Sequence, residues 1–316
     1  MKEIMYDKYS VMNGQYPVIQ KLGILNSGGE TSPFVWKGKL TTIHIMDETI
    51  GVDKTKTKGT AVVDSETGDT LSIVGADTYF HSIYIEDDTA YIIAVTRDPW
   101  DTVMIYESKD LVHWDERVLF HNPGWIYCNT SLTKSPDGYV LMIEAGIESD
   151  TPEEIKKYVG EYYTMFFMTS PDLKEWTPLD YGKYHLTNER YTGGPWFKYS
   201  EGWYYAIVLE RLPGMIYTNY ISRSKDLETW EMGKYNPILM PSNEDKNISP
   251  NMRNVTEKDL ERIRTGYNIN NSDIDMCDWQ GKTYITYACG NQQGNSWNAD
   301  AIYDGTVAEF LKAFFD

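Results

Sequence analysis

Carboxylate side chains occupy three positions where they could exchange protons with a bound molecule. Asp273 and Asp275 are two residues apart in a β-rich run, so strand alternation predicts both carboxylates on one face. Two like charges at this spacing raise the pKa of one carboxyl, as a general acid requires. Glu30 follows Gly28 and Gly29, just before another β-rich run. We therefore predict that Asp273 or Asp275 is catalytic and that Glu30 is a further candidate, with loop or turn capping as the alternative role of each.

Three other polar side chains stand at the ends of apolar runs. His81 begins one such run and is one of five histidines, which makes it a candidate proton carrier or, equally, a structural residue. Glu144 and Glu210 each close a strongly apolar run, a position where polar residues often line a pocket. Either glutamate could instead pair with a neighbouring arginine at a strand edge.

One motif recurs three times and indicates the elements that position these residues. The pattern S-x-D-L-x-x-W begins at Ser108, Ser170 and Ser224. Its serine and aspartate are typical capping residues of a short turn, and its leucine and tryptophan are expected to pack between strands. The interval between copies corresponds to one four-stranded propeller blade with a loop. We therefore predict that the motif tryptophans, Trp114, Trp176 and Trp230, are equivalent buried residues.

Five pairs of β-rich runs, each joined by a tight turn, flank this motif. They cover residues 33–45, 82–95, 131–143, 195–209 and 273–288. Short strands separated by Gly- or Asp-containing turns are hairpin signals. The sequence therefore predicts an all-β fold, a single-domain five-bladed β-propeller over residues 1–316 with four-stranded antiparallel blades. The predicted blades are roughly 30–75, 77–121, 126–182, 191–240 and 268–306.

The segments between the predicted blades also have expected roles. The N-terminal segment before Leu25 is predicted to close the ring beside blade five, because an open sheet edge promotes aggregation. Helices are predicted at 152–158, 256–264 and 307–314. The second helix lies in the longest insertion, roughly 241–267, which is a candidate wall of the active site.

Charge and cysteine usage limit the classes of partner. The net charge of −18, with no run of Lys or Arg, disfavours nucleic acid and anionic membranes as partners. No signal-peptide pattern or apolar stretch of membrane-spanning length occurs, and three cysteines without C-x-x-C spacing argue against disulfides and zinc. We therefore expect a cytoplasmic protein without a metal cofactor. A calcium ion in the channel and the oligomeric state stay open.

This organisation resembles the five-bladed propeller glycosidases of glycoside hydrolase families 43, 32 and 117. The S-x-D-L-x-x-W motif is shared with them, and the resemblance extends from Ser32 to Phe315. The last blade, which contains Asp273 and the run from Cys289 to Gly294, is most similar to family 117. The resemblance implies that catalytic groups lie at the first residues of each innermost strand. Those positions are Glu30, His81, Asn129, Gly193 and Asp273.

The sequence departs from family 43 at two of its three catalytic positions. The resemblance assigns the general base to Glu30, where family 43 has an aspartate. Asn129 stands where that family has its pKa-modulating aspartate, and Gly193 and Gly194 precede Pro195 where it has its acid. The family 43 mechanism cannot therefore be transferred unchanged. Glu144 or Glu210 could supply the acid from another strand, or His81 could supply it, as the resemblance to family 117 implies.

Aromatic and cationic residues complete the predicted site. Aromatic faces stack on sugar rings, and four tryptophans at loops or strand starts are candidates: Trp100, Trp125, Trp196 and Trp297. Arg97, after a strand, is a candidate for the pocket rim. The blade-five insertion carries three arginines that could hold a carboxylate or sulfate, or simply be surface charge: Arg253, Arg262 and Arg264. The predicted substrate-binding residues are Asn129, Glu144, Glu210, Trp125, Trp196 and Arg97.

These expectations favour a glycoside hydrolase that acts on the ends of short oligosaccharides with inversion of configuration. A phosphorylase of the family 130 type is one alternative and would need a basic phosphate pocket. A non-catalytic carbohydrate-binding propeller is another, because two expected carboxylates are missing.

Overall fold

The strands of the chain form five separate four-stranded antiparallel sheets. The computed structural model describes residues 17–46, 59–146, 151–160, 163–291 and 294–315. Within these residues the five sheets are five blades, whose innermost strands pack side by side around a central channel. The predicted all-β, five-bladed propeller is therefore confirmed.

The first strand, β1 (Gln20–Asn26), belongs to blade five, and the others follow in chain order. Blade one contains β2 (Thr31–Trp36), β3 (Lys39–Met46), β4 (Gly59–Asp64) and β5 (Thr70–Val74). Blade two contains β6 (Thr78–Glu86), β7 (Thr89–Thr96), β8 (Thr102–Ser108) and β9 (Asp115–His121). Blade three contains β10 (Ile126–Ser135), β11 (Gly138–Gly146), β12 (Tyr163–Ser170) and β13 (Thr177–Pro178). Blade four contains β14 (Thr192–Ser200), β15 (Trp203–Leu212), β16 (Ile216–Ser224) and β17 (Trp230–Met232). Blade five contains β18 (Asn270–Trp279), β19 (Lys282–Gly290), β20 (Ser296–Tyr303) and β1.

Helical segments are short, and all but the last, which follows β20, lie in connections between strands. They are α1 (Glu153–Lys156), a 3-10 turn (Asn243–Lys246), α2 (Glu257–Thr265) and α3 (Val307–Ala313). The Thr256 hydroxyl caps α2 by accepting a hydrogen bond from the Asp259 amide, and the Asp259 carboxylate accepts one from the Thr256 amide. In the part of the chain that the structure describes, no helix has the length and apolarity needed to cross a bilayer.

The motif turns are capped as the sequence predicts, but their tryptophans are not fully buried. The Ser108 hydroxyl accepts a hydrogen bond from the Leu111 amide, and the Asp110 carboxylate accepts from the Val112 and His113 amides. Each motif leucine is buried: Leu111, Leu173 and Leu227. Each motif tryptophan is only half-buried, because it lies at the outer edge of its blade: Trp114, Trp176 and Trp230. The prediction of buried tryptophans is therefore wrong, and the leucine is the core residue of the motif.

Polar contacts connect blade five to the start of the chain and to blade one. Strand β1 pairs antiparallel with β20 and forms the outer strand of blade five. The ammonium group of Lys21 on β1 lies 2.7 Å from the fully buried carboxylate of Asp245. Asn271 on β18 accepts a further hydrogen bond from Lys21 at 2.8 Å. On the inner side, the Ser32 hydroxyl of blade one donates to Asp275 of blade five.

We predict that the buried Lys21–Asp245 ion pair stabilises the attachment of β1 to blade five. Lys21→Met leaves the Asp245 carboxylate without its cation, so we expect a loss of about 3–5 kcal/mol in the free energy of unfolding. Lys282→Met is the matched control in the same blade, because the Lys282–Asp304 pair is solvent-exposed. Its expected cost is below about 1 kcal/mol. Chemical denaturation of the two variants measures both values, and equal costs would contradict this account.

Candidate functional site

A cavity of about 500 Å³ lies where innermost strands of several blades begin. It is lined by side chains from the loop before β2 and from blades two to five. Its acidic and amide residues are Glu30, Asn129, Glu144 and Asp273, with Asp259 of α2 at the wall. Gly193 and Gly194 of β14 form part of the same surface. The cavity therefore brings together most of the channel positions that the sequence singles out.

A β-bulge interrupts four of the five innermost strands at the same place. The skipped pairs are Phe80-His81 in β6, Cys128-Asn129 in β10, Gly194-Pro195 in β14 and Asp273-Ile274 in β18. Phe80, Gly194 and Asp273 have left-handed backbone angles, with φ of 54°, 50° and 48°. A bulge inserts one extra residue and redirects the side chains around it. The bulged residues Phe80, Cys128, Gly194 and Asp273 all line the cavity.

The bulge in β18 separates the two aspartates that strand alternation predicts to be equivalent. Asp273 lines the cavity, and its Oδ2 accepts a hydrogen bond of 2.6 Å from the Ser272 hydroxyl. Asp275 does not line the cavity, and its Oδ2 accepts a 2.5 Å hydrogen bond from the Ser32 hydroxyl. Burial raises the pKa of Asp275 to about 7. The charge of Asp273 contributes to this rise, and the hydrogen bond from Ser32 opposes it in part. Asp275 is therefore an interior neighbour of the site rather than part of its surface.

The bulge in β6 also explains why His81 does not reach the cavity. It places Phe80 at the channel position and turns His81 into the blade, where Nε2 lies 3.1 Å from the Thr78 hydroxyl. Burial, together with the positive charge of Arg97, lowers the pKa of His81 to about 3. The imidazole is therefore neutral and packed inside blade two. The prediction that His81 faces the channel was wrong by one residue, because Phe80 occupies that position.

Glu144, at the end of β11, is a buried carboxyl held by two donors. Its Oε2 accepts hydrogen bonds from the Asn129 side-chain amide at 2.8 Å and from the Gly194 backbone amide at 3.0 Å. The residue is 3% exposed, and its pKa is raised to about 7 because burial, with a smaller contribution from the charge of Asp273, outweighs the hydrogen bonds from Asn129 and Gly194. Glu144 is therefore a carboxyl that retains its proton close to neutral pH.

The two glycines of β14 make room for the neighbouring carboxylates. A Cβ atom at Gly193 would lie 3.0 Å from Oε1 of Glu144, and one at Gly194 would overlap Oδ1 of Asp273. Any larger residue would therefore displace one of the two acids. The absence of an acid from the expected blade-four position is compensated in space, because Glu144 occupies the neighbouring volume from β11.

Glu30 lies beside three other carboxylates. Burial raises its pKa well above the usual value, and the charges of Asp273, Glu144 and Asp275 raise it further, in that order. Burial also raises the pKa of Asp273, against the hydrogen bond from Ser272. Carboxylates this close cannot all be ionised, so they share protons as a coupled group. The group, here called the acidic cluster, consists of Glu30, Glu144, Asp273 and Asp275.

Several predicted substrate-binding residues lie outside the cavity. Glu210, at the end of β15, forms an ion pair of 3.0 Å with Arg190, which is the alternative role that the sequence analysis gave it. Trp125 is stacked on Tyr127 in the core between blades two and three, and Trp196 is buried between blades four and five. The Arg97 guanidinium lies over the Tyr79 ring, 4.6 Å from its centroid. The two tryptophans therefore pack behind the cavity wall, because their apolar surfaces are buried against neighbouring blades.

The aromatic surface of the cavity comes from other residues. Among the described residues it is formed by Tyr79, Phe80, Tyr163, Tyr191 and Trp297. The Phe80 ring packs against Tyr79 and Trp100, with centroid distances of 4.6 and 5.6 Å. Only Trp297 was a sequence candidate from this set. Phe80 could have been found only by recognising the bulge, which leaves no clear signal in the residue types.

Helix α2 covers one side of the cavity and contributes cationic residues. Lys258, Asp259 and Arg262 line it. Arg262 was a sequence candidate for holding an anion, whereas Lys258 was not recognised. Within the ranges described, no group of three or more His, Cys, Asp or Glu side chains is arranged to hold a metal ion.

Comparison with known proteins supports the fold. No protein-family model and no curated protein sequence matches the chain. A solved structure described as a glycoside hydrolase has a TM-score of 0.61 and 13% identity, covering 94% of each chain. A thermostable family-43 glycoside hydrolase has a TM-score of 0.57 and 12% identity, covering 90% of this chain and 91% of its own. An α-L-arabinofuranosidase from Fusarium graminearum, solved with an iminosugar inhibitor, has a TM-score of 0.56 and 12% identity, covering 90% of this chain and 97% of its own. At such identities the similarity establishes a shared five-bladed fold with these glycoside hydrolases.

The raised pKa of Glu144 predicts a specific dependence of stability on pH. A carboxyl whose pKa rises from 4.5 to about 7 on folding stabilises the protein when protonated, and this contribution is lost as pH rises through that interval. Glu144→Gln keeps an oxygen acceptor for Asn129 and Gly194 but removes the charge. We therefore expect the variant to gain melting temperature relative to the native protein at pH 8, with little difference at pH 4. A pH-independent difference would show that Glu144 is not the protonated group.

Proposed function

We propose that this protein is an exo-acting glycoside hydrolase that cleaves short oligosaccharides with inversion of configuration. One observation carries the proposal: a carboxyl that keeps its proton near neutral pH, Glu144, lines the same cavity as Glu30 and Asp273. Hydrolysis of a glycosidic bond uses one protonated carboxyl and one carboxylate. The fold shared with solved glycoside hydrolases supports the same reaction class.

Glu144 is the proposed general acid. Its Oε2 is fixed by the Asn129 and Gly194 amides, which donate to it, so a proton on this carboxyl is carried by Oε1. Gly193 leaves the space beside Oε1 free of a side chain. From there the proton can pass to the oxygen of the departing sugar. The cost of breaking that bond falls because the leaving group departs as an alcohol.

Glu30 is the proposed general base and Asp273 its partner. A base must be ionised to take a proton from water, and the pKa of Glu30 is itself raised by burial and by its neighbours. The assignment therefore requires the shared protons of the acidic cluster to lie on Glu144 and Asp275 while Glu30 is charged. Asp273, aimed into the cavity by the β18 bulge, holds the positive charge that develops at the sugar ring. The assignment of the base to blade one, and inversion with it, follows the resemblance to family 43.

The size and lining of the cavity support action at a chain end. About 500 Å³ is a typical volume for a small-molecule site. Phe80, Tyr163 and Tyr191 are half-buried at the wall and supply aromatic faces for a sugar ring, whereas Trp297 is fully buried behind it. Helix α2 forms a wall that would limit how far a saccharide extends past the acidic cluster.

Phosphorolysis is the second candidate, favoured by the cationic residues Lys258 and Arg262 at the wall. A phosphorylase would place a phosphate dianion at the reacting carbon. The acidic cluster opposes that placement because its charges repel phosphate at short range. Dependence of turnover on inorganic phosphate distinguishes the two reactions.

Removing single carboxyls tests the assignment. Glu144→Gln and Glu30→Gln should each reduce kcat/KM about 10²- to 10⁴-fold on a substrate found by screening aryl glycosides and plant or algal oligosaccharides. Adding azide to either variant should give no glycosyl azide of retained configuration, since an inverting reaction forms no covalent intermediate. Proton NMR of the first product gives the anomer directly.

The matched control is Glu210→Gln, which changes the same side chain outside the cavity and should leave kcat/KM within about threefold. Near-native activity of both cavity variants would remove Glu30 and Glu144 from the reaction. Saccharide binding without turnover by the native protein would identify a non-catalytic propeller instead.

The pH dependence of kcat/KM follows from the same assignment. An acid of pKa about 7 loses its proton above neutrality, so activity should fall as pH rises past 7. In Glu144→Gln the residual activity on an aryl glycoside with a good leaving group should lose this alkaline limb. Persistence of the limb in that variant would assign it to another residue.

A further inference from the structure

Two cationic residues of α2 stand on one face of the helix above the acidic cluster. Lys258 and Arg262 are four residues apart, so their side chains lie on the same side of α2. They supply all of the Lys and Arg side chains that line this cavity among the described residues. The chain has a net charge of −18, so two positive charges at the wall of an acidic cavity are an unusual feature of its surface.

Arg262 has a structural role that fixes the position of α2. Its Nη1 donates to Asn295 Oδ1 at 2.8 Å and to the Ser296 carbonyl at 2.9 Å. Its Nη2 donates to the carbonyl of Ser27, in the loop that leads to Glu30, at 2.5 Å. Helix α2 is therefore attached to two loops that border the cavity, and Lys258 is carried on a fixed support.

Lys258, in contrast, has no acidic partner among the described side chains. It is exposed, and no carboxylate in the described residues lies within ion-pair distance of its ammonium group. Lys258 stands between Glu257 and Asp259 in sequence. Asp259 accepts hydrogen bonds from the Thr256 amide and hydroxyl and so caps α2 instead. The Lys258 charge is therefore available to a molecule that enters the cavity.

The charges of the cavity are arranged in two zones. The acidic cluster lies where the innermost strands begin, and both cations lie on the helix that covers one side, where Asp259 is the one acidic residue among the described lining residues. A neutral saccharide could accept hydrogen bonds from a free ammonium at this place but would gain no ion pair with it. A saccharide with a negative group away from its scissile bond would place that group at α2 and keep it away from the acidic cluster.

We propose that Lys258, held in place by Arg262, binds an anionic substituent of the saccharide, a carboxylate or a sulfate ester. The proposal rests on the proposed glycosidase function and names the class of its substrate: acidic oligosaccharides. Lys258 supplies a charge-assisted hydrogen bond, and the Arg262 guanidinium adds positive potential one helical turn away. Specificity for acidic chains then depends on α2, whereas bond cleavage depends on the acidic cluster.

The test compares binding and turnover of neutral, uronate-containing and sulfated oligosaccharides with the native chain and two variants. Lys258→Met removes the proposed anion-binding charge. Arg264→Met is the matched control, because it removes one positive charge from the same helix at a position that does not line the cavity. Dissociation constants come from calorimetry, and rates from reducing-sugar release, at low and high salt.

We expect the native chain to prefer one acidic set over the neutral set, and Lys258→Met to weaken binding of that set about tenfold. Neutral saccharides and Arg264→Met should show changes below about twofold, and salt should reduce the preference. Lys258→Arg should retain it. Which acidic set is preferred distinguishes a carboxylate from a sulfate.

Other outcomes overturn the proposal in distinguishable ways. Cleavage of neutral saccharides without any acidic preference, or equal effects of Lys258→Met and Arg264→Met, would refute the role of Lys258 and leave the glycosidase function standing. Binding of inorganic phosphate that depends on Lys258, with turnover only in its presence, would replace both ideas by phosphorolysis. No binding or cleavage of any set would refute the proposed function and this inference together.

Discussion

The arrangement of this site depends on mutual repulsion among one buried and three half-buried carboxylates. Burial disfavours charge on Glu30, Glu144, Asp273 and Asp275, and each charge that forms raises the pKa of its neighbours. Isolated charges in such surroundings would be costly, so the cluster retains protons at pH values where carboxyls in water have lost them. The fold tolerates the cluster because hydrogen bonds from Asn129, Ser32, Ser272 and the Gly194 amide stabilise individual oxygens.

The backbone of the innermost strands brings these groups together. Repeated bulges expose one extra residue per strand at the channel, and the glycines of β14 leave space that acids from other blades occupy. The contacts between blades five and one are themselves polar, since Ser32 donates to Asp275 and Lys21 pairs with Asp245. Ring closure and site assembly therefore depend on the same sector of the propeller, which explains why the blade-one and blade-five residues converge.

Sequence patterns predicted the fold well because each S-x-D-L-x-x-W turn is local: serine and aspartate cap it, and leucine fills the core behind it. Strand ends and the family resemblance singled out Glu30, Glu144 and Asp273, which line one cavity. It misplaced His81 and equated Asp275 with Asp273, because a bulge shifts strand alternation without an obvious signature in the residues. It also interpreted Gly193 as a missing acid, since a space filled by a side chain from another strand is a tertiary property. Trp125 and Trp196 were predicted to stack on a sugar but are buried between blades, because burial of that kind depends on how the blades pack.

The protonation state of Glu144 is the most direct test of this account, because every proposed chemical step depends on it. Carbon-13 NMR of the side-chain carboxyl, assigned by comparison with Glu144→Gln, follows its titration without requiring a known substrate. The account predicts a midpoint near 7, with a titration that is broadened by coupling to Glu30 and Asp273. A simple titration at the ordinary glutamate value of 4.5 would show that Glu144 is ionised at neutral pH and would contradict its role as the acid.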